Sequence, residues 1–328
     1  MTRHDSSALR SLTAGRRALL VASTGGHLAQ MVRLESKLGV RSDSTFVTFD
    51  LPQARSLLAG RSVEWIPYVG PRQYTAMAGS LPIASKLMTR HQPEVVFSTG
   101  AGVAVPFLLT AAARGIAAGY LESVSRILGP SATGKLMSVS PGVRTFTQHP
   151  HLETRRWAPG VSALDDFAVT DRASRGLPSA LKVFVTLGTI APFRFDRLVD
   201  RVVSLAHPDW ELSWQVGVTA RPDLPGRVAT QLTSAAFDSE VQRADVVISH
   251  SGVGSAIRVL ELGKTPVLVP REARFNEHVD DHQRQISEHL ARRGLCQHAD
   301  VDELGLRHVQ QAFGRVVVPV PPVQSEPA

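Results

Sequence analysis

The segment that decides the fold spans residues 245–262 and reads DVVISHSGVGSAIRVLEL. A β-branched apolar run at 245–249 is followed by a turn that contains Gly252 and Gly254, and then by apolar residues at helical spacing. Strand, glycine-rich turn and helix in this order form one βα unit, the building block of parallel sheets that carry helices on their faces.

The same unit recurs in two series along the chain. In the first series the sequence predicts helices at 28–38 and 103–113 and strands at 17–22, 45–49, 63–66, 94–97 and 117–121. In the second it predicts helices at 194–206, 253–262 and 277–292 and strands at 182–187, 212–216, 245–249 and 266–269. We therefore predict an α/β protein with two Rossmann-like, doubly wound parallel-sheet domains facing each other across a cleft.

The domain boundaries are predicted from local composition. A polar stretch rich in Pro, Gly, Asp and Arg predicts a linker at 161–180, between a first domain at 17–160 and a second at 181–318. Residues 1–16 and the Pro-rich residues 319–328 are predicted to be disordered.

Composition limits the class of protein. With 43% hydrophobic and 20% charged residues the chain is typical of globular proteins. No run approaches the roughly 18 apolar residues of a membrane span, and no secretion signal is evident. The single cysteine, Cys296, can form neither an intramolecular disulfide nor a multi-thiolate metal site, which favours a reducing compartment.

The charge balance favours polyanionic partners. The 36 Lys and Arg against 29 Asp and Glu give a formal net charge of +7, which suits nucleic acid, anionic lipid or a diphosphate. Only 6% of residues are aromatic and no basic run is interleaved with aromatics, so nucleic acid is not expected as a partner.

Small and polar residues follow the predicted strands at the edge where ligands bind in such sheets. In the first half these are Thr24, Gly25, Gly26, His27, Thr99, Gly100, Gly102 and Glu122. In the second half they are Gly188, Thr189, His250, Ser251, Gly252, Gly254, Ser255 and Arg271. Glycine turns let backbone N–H groups approach an anion, and a helix N-terminus adds about half a positive charge. Any one turn could be a plain βα connection, but several on one edge predict a diphosphate site.

Two other ligand types are weighed against the diphosphate. The third position of a dinucleotide fingerprint is Ile257, where Gly or Ala is required, so a nicotinamide or flavin is disfavoured and no cofactor is expected. His278 and His282 lie four residues apart on the predicted helix beside Asp281, but no third metal ligand is evident. Contacts from Asp281, His282 and Gln283 to sugar hydroxyls are favoured over a metal site.

Two further features each leave two interpretations open. His27 could accept a proton from an acceptor hydroxyl, since its unperturbed pKa of about 6.5 suits a general base, or it could only hydrogen-bond the turn or a phosphate. The apolar segment 74–88, edged by Arg72, Lys86 and Arg90, could lie against a bilayer or form ordinary helix core.

These motifs, in this order, resemble a known family. The sequences around Thr24–His27, Ser98–Val103 and Glu122–Arg126 are similar to the acceptor-side, membrane-docking subunit of the Asn-linked-glycosylation GlcNAc transferase and to its bacterial exopolysaccharide relatives. Those of 183–189, 248–255 and 276–283 are similar to the donor-binding subunit of the same pair. The chain thus resembles a fusion of both subunits in the MurG-like group, with a glycosyltransferase family 28 C-terminal domain.

The resemblance implies a GT-B fold and an inverting, metal-independent transferase that uses a UDP-sugar donor of the GlcNAc or glucuronate class. It implies a polyprenyl-diphosphate-linked acceptor at the cytoplasmic, inner face of the plasma membrane, with peripheral binding to the anionic membrane surface. By position, His27 and Glu122 fall in the catalytic, acceptor-side loops, the residues at 188–189 and 250–255 surround the diphosphate, and Asp281–Gln283 contact the sugar. Arg271 or Arg274 is expected to help the diphosphate leave.

Two departures from the family pattern bear on these expectations. Many relatives place a ribose-binding Glu where this chain has Arg258, with Glu261 nearly one turn later. Docking subunits carry an N-terminal membrane anchor that is not seen here. A nucleotide-sugar epimerase of GT-B fold and a non-catalytic nucleotide-sugar-binding regulator are the alternative functions.

Overall fold

The computed structural model describes residues 6–70, 73–172, 176–189, 191–279 and 281–320. The chain divides into two units, Met1–Ala163 and Leu164–Ala328. Each unit has a parallel sheet of its own.

Within the described residues, the first unit contains a seven-stranded sheet in the order β3-β2-β1-β4-β5-β6-β7, with every pair parallel. Its strands are β1 (Ala18–Ala22), β2 (Thr45–Phe49), β3 (Ser62–Ile66), β4 (Val95–Gly100), β5 (Ala117–Leu121), β6 (Val143–Thr147) and β7 (Trp157–Pro159). Every residue of β1, β2 and β4 is buried, which explains their unbroken apolar and β-branched runs. The five strands predicted for this half are confirmed.

The helices of the first unit are α1 (Ser7–Thr13), α2 (Gly26–Leu38), α3 (Pro52–Leu57), α4 (Tyr74–Gly79), α5 (Leu81–His91), α6 (Ala104–Ala113) and α7 (Ala132–Val139). The prediction of disorder for residues 1–16 is wrong for α1. Leu9 and Leu12 are buried, and Leu12 lies so close to Gly119 of β5 that a Cβ there would come within 2.6 Å of its Cδ2. Two leucines in a short polar stretch thus suffice to order it.

The second unit begins with β8 (Phe167–Asp171), which pairs antiparallel with the last strand, β15 (Arg315–Pro319). Its parallel sheet has the order β11-β10-β9-β12-β13-β14. The strands of this sheet are β9 (Lys182–Thr186), β10 (Glu211–Gln215), β11 (Arg227–Ala229), β12 (Val246–His250), β13 (Val267–Val269) and β14 (Gln297–His298). The helices are α8 (Asp196–Leu205), α9 (Ser234–Arg243), α10 (Val253–Glu261), α11 (His282–Arg292) and α12 (Leu306–Phe313).

Two features of the second unit differ from the prediction. The segment 161–180, predicted as a linker, contains β8, whose backbone is paired with β15 from Asp171 to Phe167. The predicted disordered tail at 319–328 overlaps the end of β15, and residues 321–328 of it lie outside the described residues.

The two sheets share one topology. In each, the first strand lies between the second and the fourth, because β1 pairs with β2 and β4, and β9 pairs with β10 and β12. Such a reversal of strand order opens a crevice at the carboxyl ends of the central strands. The prediction of two Rossmann-like parallel-sheet units is confirmed, and the places to search for ligand groups are the loops after β1, β4 and β5 and after β9, β12 and β13.

Candidate functional site

The predicted residues of the first unit do gather at the carboxyl edge of its sheet. Thr24, Gly25 and Gly26 form the turn between β1 and α2, and Gly25 has a φ of +80°. Thr99 and Gly100 end β4, and Gly102 lies in the turn before α6. Glycine-containing turns therefore lie on both sides of the point where the strand order reverses.

His27 is the second residue of α2 and bridges the two central strands. Its Nδ1 lies 2.7 Å from the carbonyl oxygen of Thr99, and the Thr99 hydroxyl donates to the His27 carbonyl at 2.8 Å. Because a carbonyl oxygen only accepts, Nδ1 carries the hydrogen, and in the neutral ring the lone pair is on Nε2. The tautomer is therefore the one that a base acting through Nε2 requires.

Gly100 makes room for this imidazole. A Cβ at Gly100 would lie 2.7 Å from Cε1 and 2.9 Å from Nδ1 of His27, and φ at Gly100 is +122°. The next residue, Ala101, has a φ of +71°, a left-handed conformation that residues other than glycine adopt at a cost. The loop after β4 is thus shaped around the histidine.

Glu122 follows β5, as expected, but its carboxylate is enclosed. Oε1 accepts from the Tyr120 hydroxyl and the Ser123 amide, both at 3.1 Å. Oε2 accepts from the amide and hydroxyl of Ser131 at 2.9 and 3.1 Å. The residue is 2% exposed, and burial raises the pKa of its carboxyl group. The hydrogen bonds from these donors lower the pKa and so oppose part of that rise. These contacts favour a role in holding the loop 123–131; a catalytic Glu122 stays a prediction.

In the second unit, the turn after β9 is packed tightly against the end of β12. The imidazole of His250, the last residue of β12, lies so close to Gly188 and Gly252 that a Cβ on either would overlap its Nε2. Gly188 has a φ of +74°, and a Cβ at Gly217 would overlap the Gly188 carbonyl oxygen. Glycine is required at all three positions. Gly217 was not predicted, although a glycine directly after a strand was the available signal.

His250 is neutral in the folded protein. Its Nδ1 lies 3.2 Å from the Thr186 carbonyl oxygen, and the side chain is buried. Burial, together with the nearby cation of Arg271, lowers the pKa of His250 to about 3. The ring therefore adds no charge at neutral pH and serves as a fixed wall between the two glycine turns.

The remaining predicted residues around His250 lie at the start of α10. Ser251 is 1% exposed, Gly252 is the N-cap, and Gly254 and Ser255 lie in the first turn. The Ser251 Oγ is buried and has no hydrogen-bond partner. Thr189 lies exposed after Gly188.

Arg271 follows β13 and is completely buried. One terminal nitrogen donates to the Leu187 carbonyl, whereas Nε and Nη1 have no hydrogen-bond partner. The guanidinium carbon lies 5.6 Å from the centre of the Phe195 ring. Burial lowers the pKa of Arg271 to about 10, well below the usual range of an arginine. A cation with two unsatisfied donor nitrogens thus lies beside the Leu187–Gly188 turn. Buried donors of this kind are rare unless an anion accepts hydrogen bonds from them.

The loop after β13 is held by the residues predicted to contact sugar. The amide of Arg271 donates to Gln283 Oε1 at 3.1 Å, and the amide of Ala273 donates to Asp281 Oδ1 at 2.9 Å. The predicted helix from residue 277 in fact begins at His282, with Asp281 as its N-cap. His278 and His282 therefore do not share a helix, although their ring centres are 4.8 Å apart.

Arg274, the alternative cation for the leaving group, is engaged at the surface. Its Nε lies 2.8 Å from Glu272, and its guanidinium lies 4.7 Å from the Phe275 ring centre. The guanidinium carbon of Arg197 lies 3.7 Å from the centre of the same ring. Of the two cations proposed from the sequence, Arg271 is the one with unsatisfied donors among the described residues.

Arg258 and Glu261 belong to a single ion-pair network. Arg258 Nε donates to Asp238 of α9 at 2.7 Å, and Nη1 donates to Glu261 at 2.9 Å. Asp238, then Glu261, raises the pKa of Arg258, so the cation is permanent. Position 258 is thus a cation and Glu261 is already paired with it, so this network does not present a spare carboxylate for a ribose.

Two features are absent from the described residues. No group of three or more His, Cys, Asp and Glu side chains in that part of the chain could hold a metal ion. Likewise, no described helix combines the length and the apolar character that crossing a membrane requires.

The chain is similar to known glycosyltransferases in sequence and in fold. Residues 227–306 match the glycosyltransferase family 28 C-terminal domain. The match runs from β11 to the start of α12, so it includes His250, Arg271 and Gln283 but not Gly188. The resemblance drawn from the motifs is confirmed for this part of the second unit.

Two relatives and one solved structure extend the likeness. The chain is 27% identical over 257 residues to the UDP-N-acetylglucosamine--N-acetylmuramyl-(pentapeptide) pyrophosphoryl-undecaprenol N-acetylglucosamine transferase of Chlorobaculum tepidum, covering 70% of this chain and 65% of that one. It is 42% identical over 67 residues to the UDP-N-acetylglucosamine transferase subunit ALG13 of Yarrowia lipolytica, covering 20% of this chain and 32% of that one. The alignments thus span less than two thirds of either relative. The structure of Acinetobacter baumannii MurG matches with a TM-score of 0.54 at 18% identity over 90% of each chain, which shows a shared GT-B fold.

Proposed function

We propose that this protein is an inverting, metal-independent glycosyltransferase that moves a sugar from a UDP-sugar to a polyprenyl-diphosphate-linked acceptor. The names of the relatives favour UDP-GlcNAc as the donor class, and glucuronate stays as the second class because buried and exposed arginines follow β13. Synthesis of a polysaccharide or glycolipid is the corresponding biological role.

The observation that carries the proposal is the set of unsatisfied donors at the carboxyl edge of the second sheet. Nε and Nη1 of Arg271 and the Oγ of Ser251 are buried without partners, and they lie beside the turns that contain Gly188 and Gly252. A diphosphate would supply the negative charge and the acceptor oxygens that these groups lack. The N-terminus of α10 adds its dipole at the same edge.

His27 supports the acceptor half of the reaction. In a single displacement the acceptor oxygen bonds to the anomeric carbon, and the bond from that carbon to the UDP oxygen breaks with its electron pair. The hydroxyl proton passes to Nε2 of His27, whose tautomer is set by Thr99. Arg271 and the α10 N-terminus stabilise the departing UDP.

The charge distribution supports a peripheral location on the cytoplasmic face of the plasma membrane. Of the 36 basic and 29 acidic residues, 18 basic and 8 acidic ones lie in residues 1–163, which gives that unit +10 and leaves −3 for the second. The segment 74–88 presents Tyr74 at 70% and Leu81 at 45% exposure, whereas Ala84, Leu87 and Met88 are core. A basic unit with exposed apolar side chains suits an anionic bilayer.

The test is a panel of UDP-sugars with and without a prenyl-diphosphate-linked sugar acceptor, followed by UDP release and by NMR of the product. Acceptor-dependent UDP release and an inverted anomeric centre, both unchanged by EDTA, are the expected results. Interconversion of the donor without acceptor would instead identify an epimerase. UDP-sugar binding without any turnover would identify a binding regulator.

A matched pair of histidine variants sharpens the test. His27→Ala should remove transfer and keep UDP binding, whereas His207→Ala, at a side chain 58% exposed in the second unit, should change neither. Equal activity in both variants would overturn the role of His27.

A further inference from the structure

Two buried glutamines form a relay along the carboxyl edge of the first sheet. Gln30 of α2 and Gln148, just after β6, are 0% and 2% exposed. The Gln148 Nε2 donates to the Gln30 Oε1 at 2.9 Å. They are 118 residues apart in the chain, so this contact exists only in the folded unit.

Gln30 joins the glycine turn to the loop after β5. Its Nε2 donates to the Gly26 carbonyl and to the Ser123 hydroxyl, both at 3.0 Å. Its Oε1 also accepts from the Val124 amide at 2.9 Å. The Gly26 carbonyl can only accept and the Val124 N–H can only donate, so these two partners fix which end of the Gln30 amide is nitrogen and which is oxygen.

Gln148 extends the relay to the end of the unit. Its Nε2 also donates to the Glu122 carbonyl at 3.0 Å, and its Oε1 accepts from the Ala163 amide at 2.9 Å. The final residues of the first unit, Ser162 and Ala163, are buried. Every polar atom of the two amides thus has a partner, in a buried network where partners strengthen one another.

Helix α2 carries the same connection along one face. His27, Gln30, Arg33 and Lys37 are spaced three, three and four residues apart, which places them in one stripe. Arg33 Nε donates to the Ala163 carbonyl at 2.7 Å and Lys37 Nζ to the Ser162 carbonyl at 3.0 Å. The helix that carries the candidate base in its first turn therefore also holds the end of the unit.

We infer that Gln30 and Gln148 are positioning residues for the acceptor half of the reaction, which fix the His27 turn and the 123–131 loop relative to each other and to Ser162–Ala163. The inference rests on the proposed function, because it assigns these loops to the acceptor. Neither glutamine touches the reacting atoms; each acts through Gly26, Val124 or Ala163. A displacement of about 1 Å in a positioned group can cost on the order of 100-fold in rate.

Substitution by methionine keeps the volume and removes the hydrogen bonds. In Gln30→Met and Gln148→Met, kcat/KM for the acceptor is expected to fall by about 10- to 100-fold, while the affinity for UDP, a property of the second unit, stays within twofold. Gln53→Met, at an exposed residue of α3, is the control and should match the native protein. The double variant should be no worse than the poorer single variant, since either substitution breaks the one relay.

Amide hydrogen exchange tests the relay independently of turnover. In Gln148→Met, exchange should become faster at Val124 and at Ala163 together, although only the latter amide bonds to Gln148 directly. In the native protein a soluble prenyl-diphosphate-linked sugar should slow exchange at both amides. This measurement applies even if the methionine variants prove unstable.

The outcomes separate the two proposals. Native transfer rates in both variants, or additive losses in the double variant, overturn the positioning role. Coupled exchange at Val124 and Ala163 in a protein that transfers no sugar overturns the proposed function and leaves the relay in place. A change at Ala163 alone refutes the relay.

Discussion

Replacing Arg271 by methionine should leave the unliganded protein at least as stable and should weaken its binding of UDP. The residue is completely buried, and burial lowers its pKa from the usual range of an arginine to about 10. At 1.36 kcal/mol per pH unit, holding this charge costs the unliganded fold roughly 3 kcal/mol. Losing the charge-assisted hydrogen bond to the Leu187 carbonyl costs about 1.5–3 kcal/mol in return.

The free energy of unfolding of Arg271→Met should therefore be unchanged or rise by up to about 1.5 kcal/mol, which is a few degrees in Tm at most for a unit of this size. Binding should change in the opposite direction. If the diphosphate completes Nε and Nη1, two charge-assisted bonds of about 1.5–3 kcal/mol each disappear, which is a loss of about 100-fold or more in affinity. Uridine, which has no phosphate, should bind both proteins equally.

Calorimetric titration with uridine, UMP and UDP, together with chemical denaturation, measures both effects. Arg271→Lys, which keeps a charge but not the planar fork, should fall between the native protein and Arg271→Met. Arg307→Met, at an exposed residue of α12, is the control for loss of one surface cation. Unchanged UDP affinity in Arg271→Met, or a large loss of stability in the absence of ligand, would refute this assignment.

Three further predictions concern other parts of the two units. His27→Gln should lower kcat by about 10²- to 10⁴-fold at unchanged UDP affinity, measured by product formation and titration calorimetry. Gly188→Ala should abolish UDP binding because its Cβ would overlap His250, whereas Gly176→Ala, which has open space, should not. Below about pH 6.5 His250 is protonated in the unfolded chain but not in the folded protein, where its pKa is about 3. The free energy of unfolding should therefore fall by up to about 1.4 kcal/mol per pH unit as the pH is lowered to about 3. His250→Gln should flatten this pH dependence, measured by chemical denaturation.

The parallel strands were predictable because burial on both faces demands continuous apolar runs. Thr45–Phe49 and Val246–His250 are fully buried, and their β-branched residues indicate this directly. β11 and β14 have three and two residues, too few for any periodicity to register. Helix α1 was missed since two leucines in a polar segment indicate burial only when the surface they cover is known.

The candidate site was predictable in its location but not in its contacts. Glycines after strands located the turns, because their spacing is a local property of the chain. The His250 ring packs against both Gly188 and Gly252 because β9 pairs with β12. This pairing joins segments far apart in the chain and cannot be read from a local sequence pattern. Gln30 and Gln148 carried no signal at all, since an isolated glutamine in a helix or after a strand is normally solvated.

At position 258 this chain departs from the pattern of the family that it resembles. The resemblance places a ribose-binding carboxylate there, but in this chain Asp238 of α9 approaches the same position with both of its oxygens. A glutamate at 258 would face that carboxylate, and like charges at hydrogen-bond distance destabilise each other. Arg258 and Asp238 therefore have to change together, and Arg258→Glu alone should weaken the protein rather than restore a ribose contact. If the chain binds a UDP-sugar as proposed, the ribose is expected to be recognised by groups outside α10, and the proposed diphosphate contacts of Gly188, Ser251 and Arg271 do not depend on position 258.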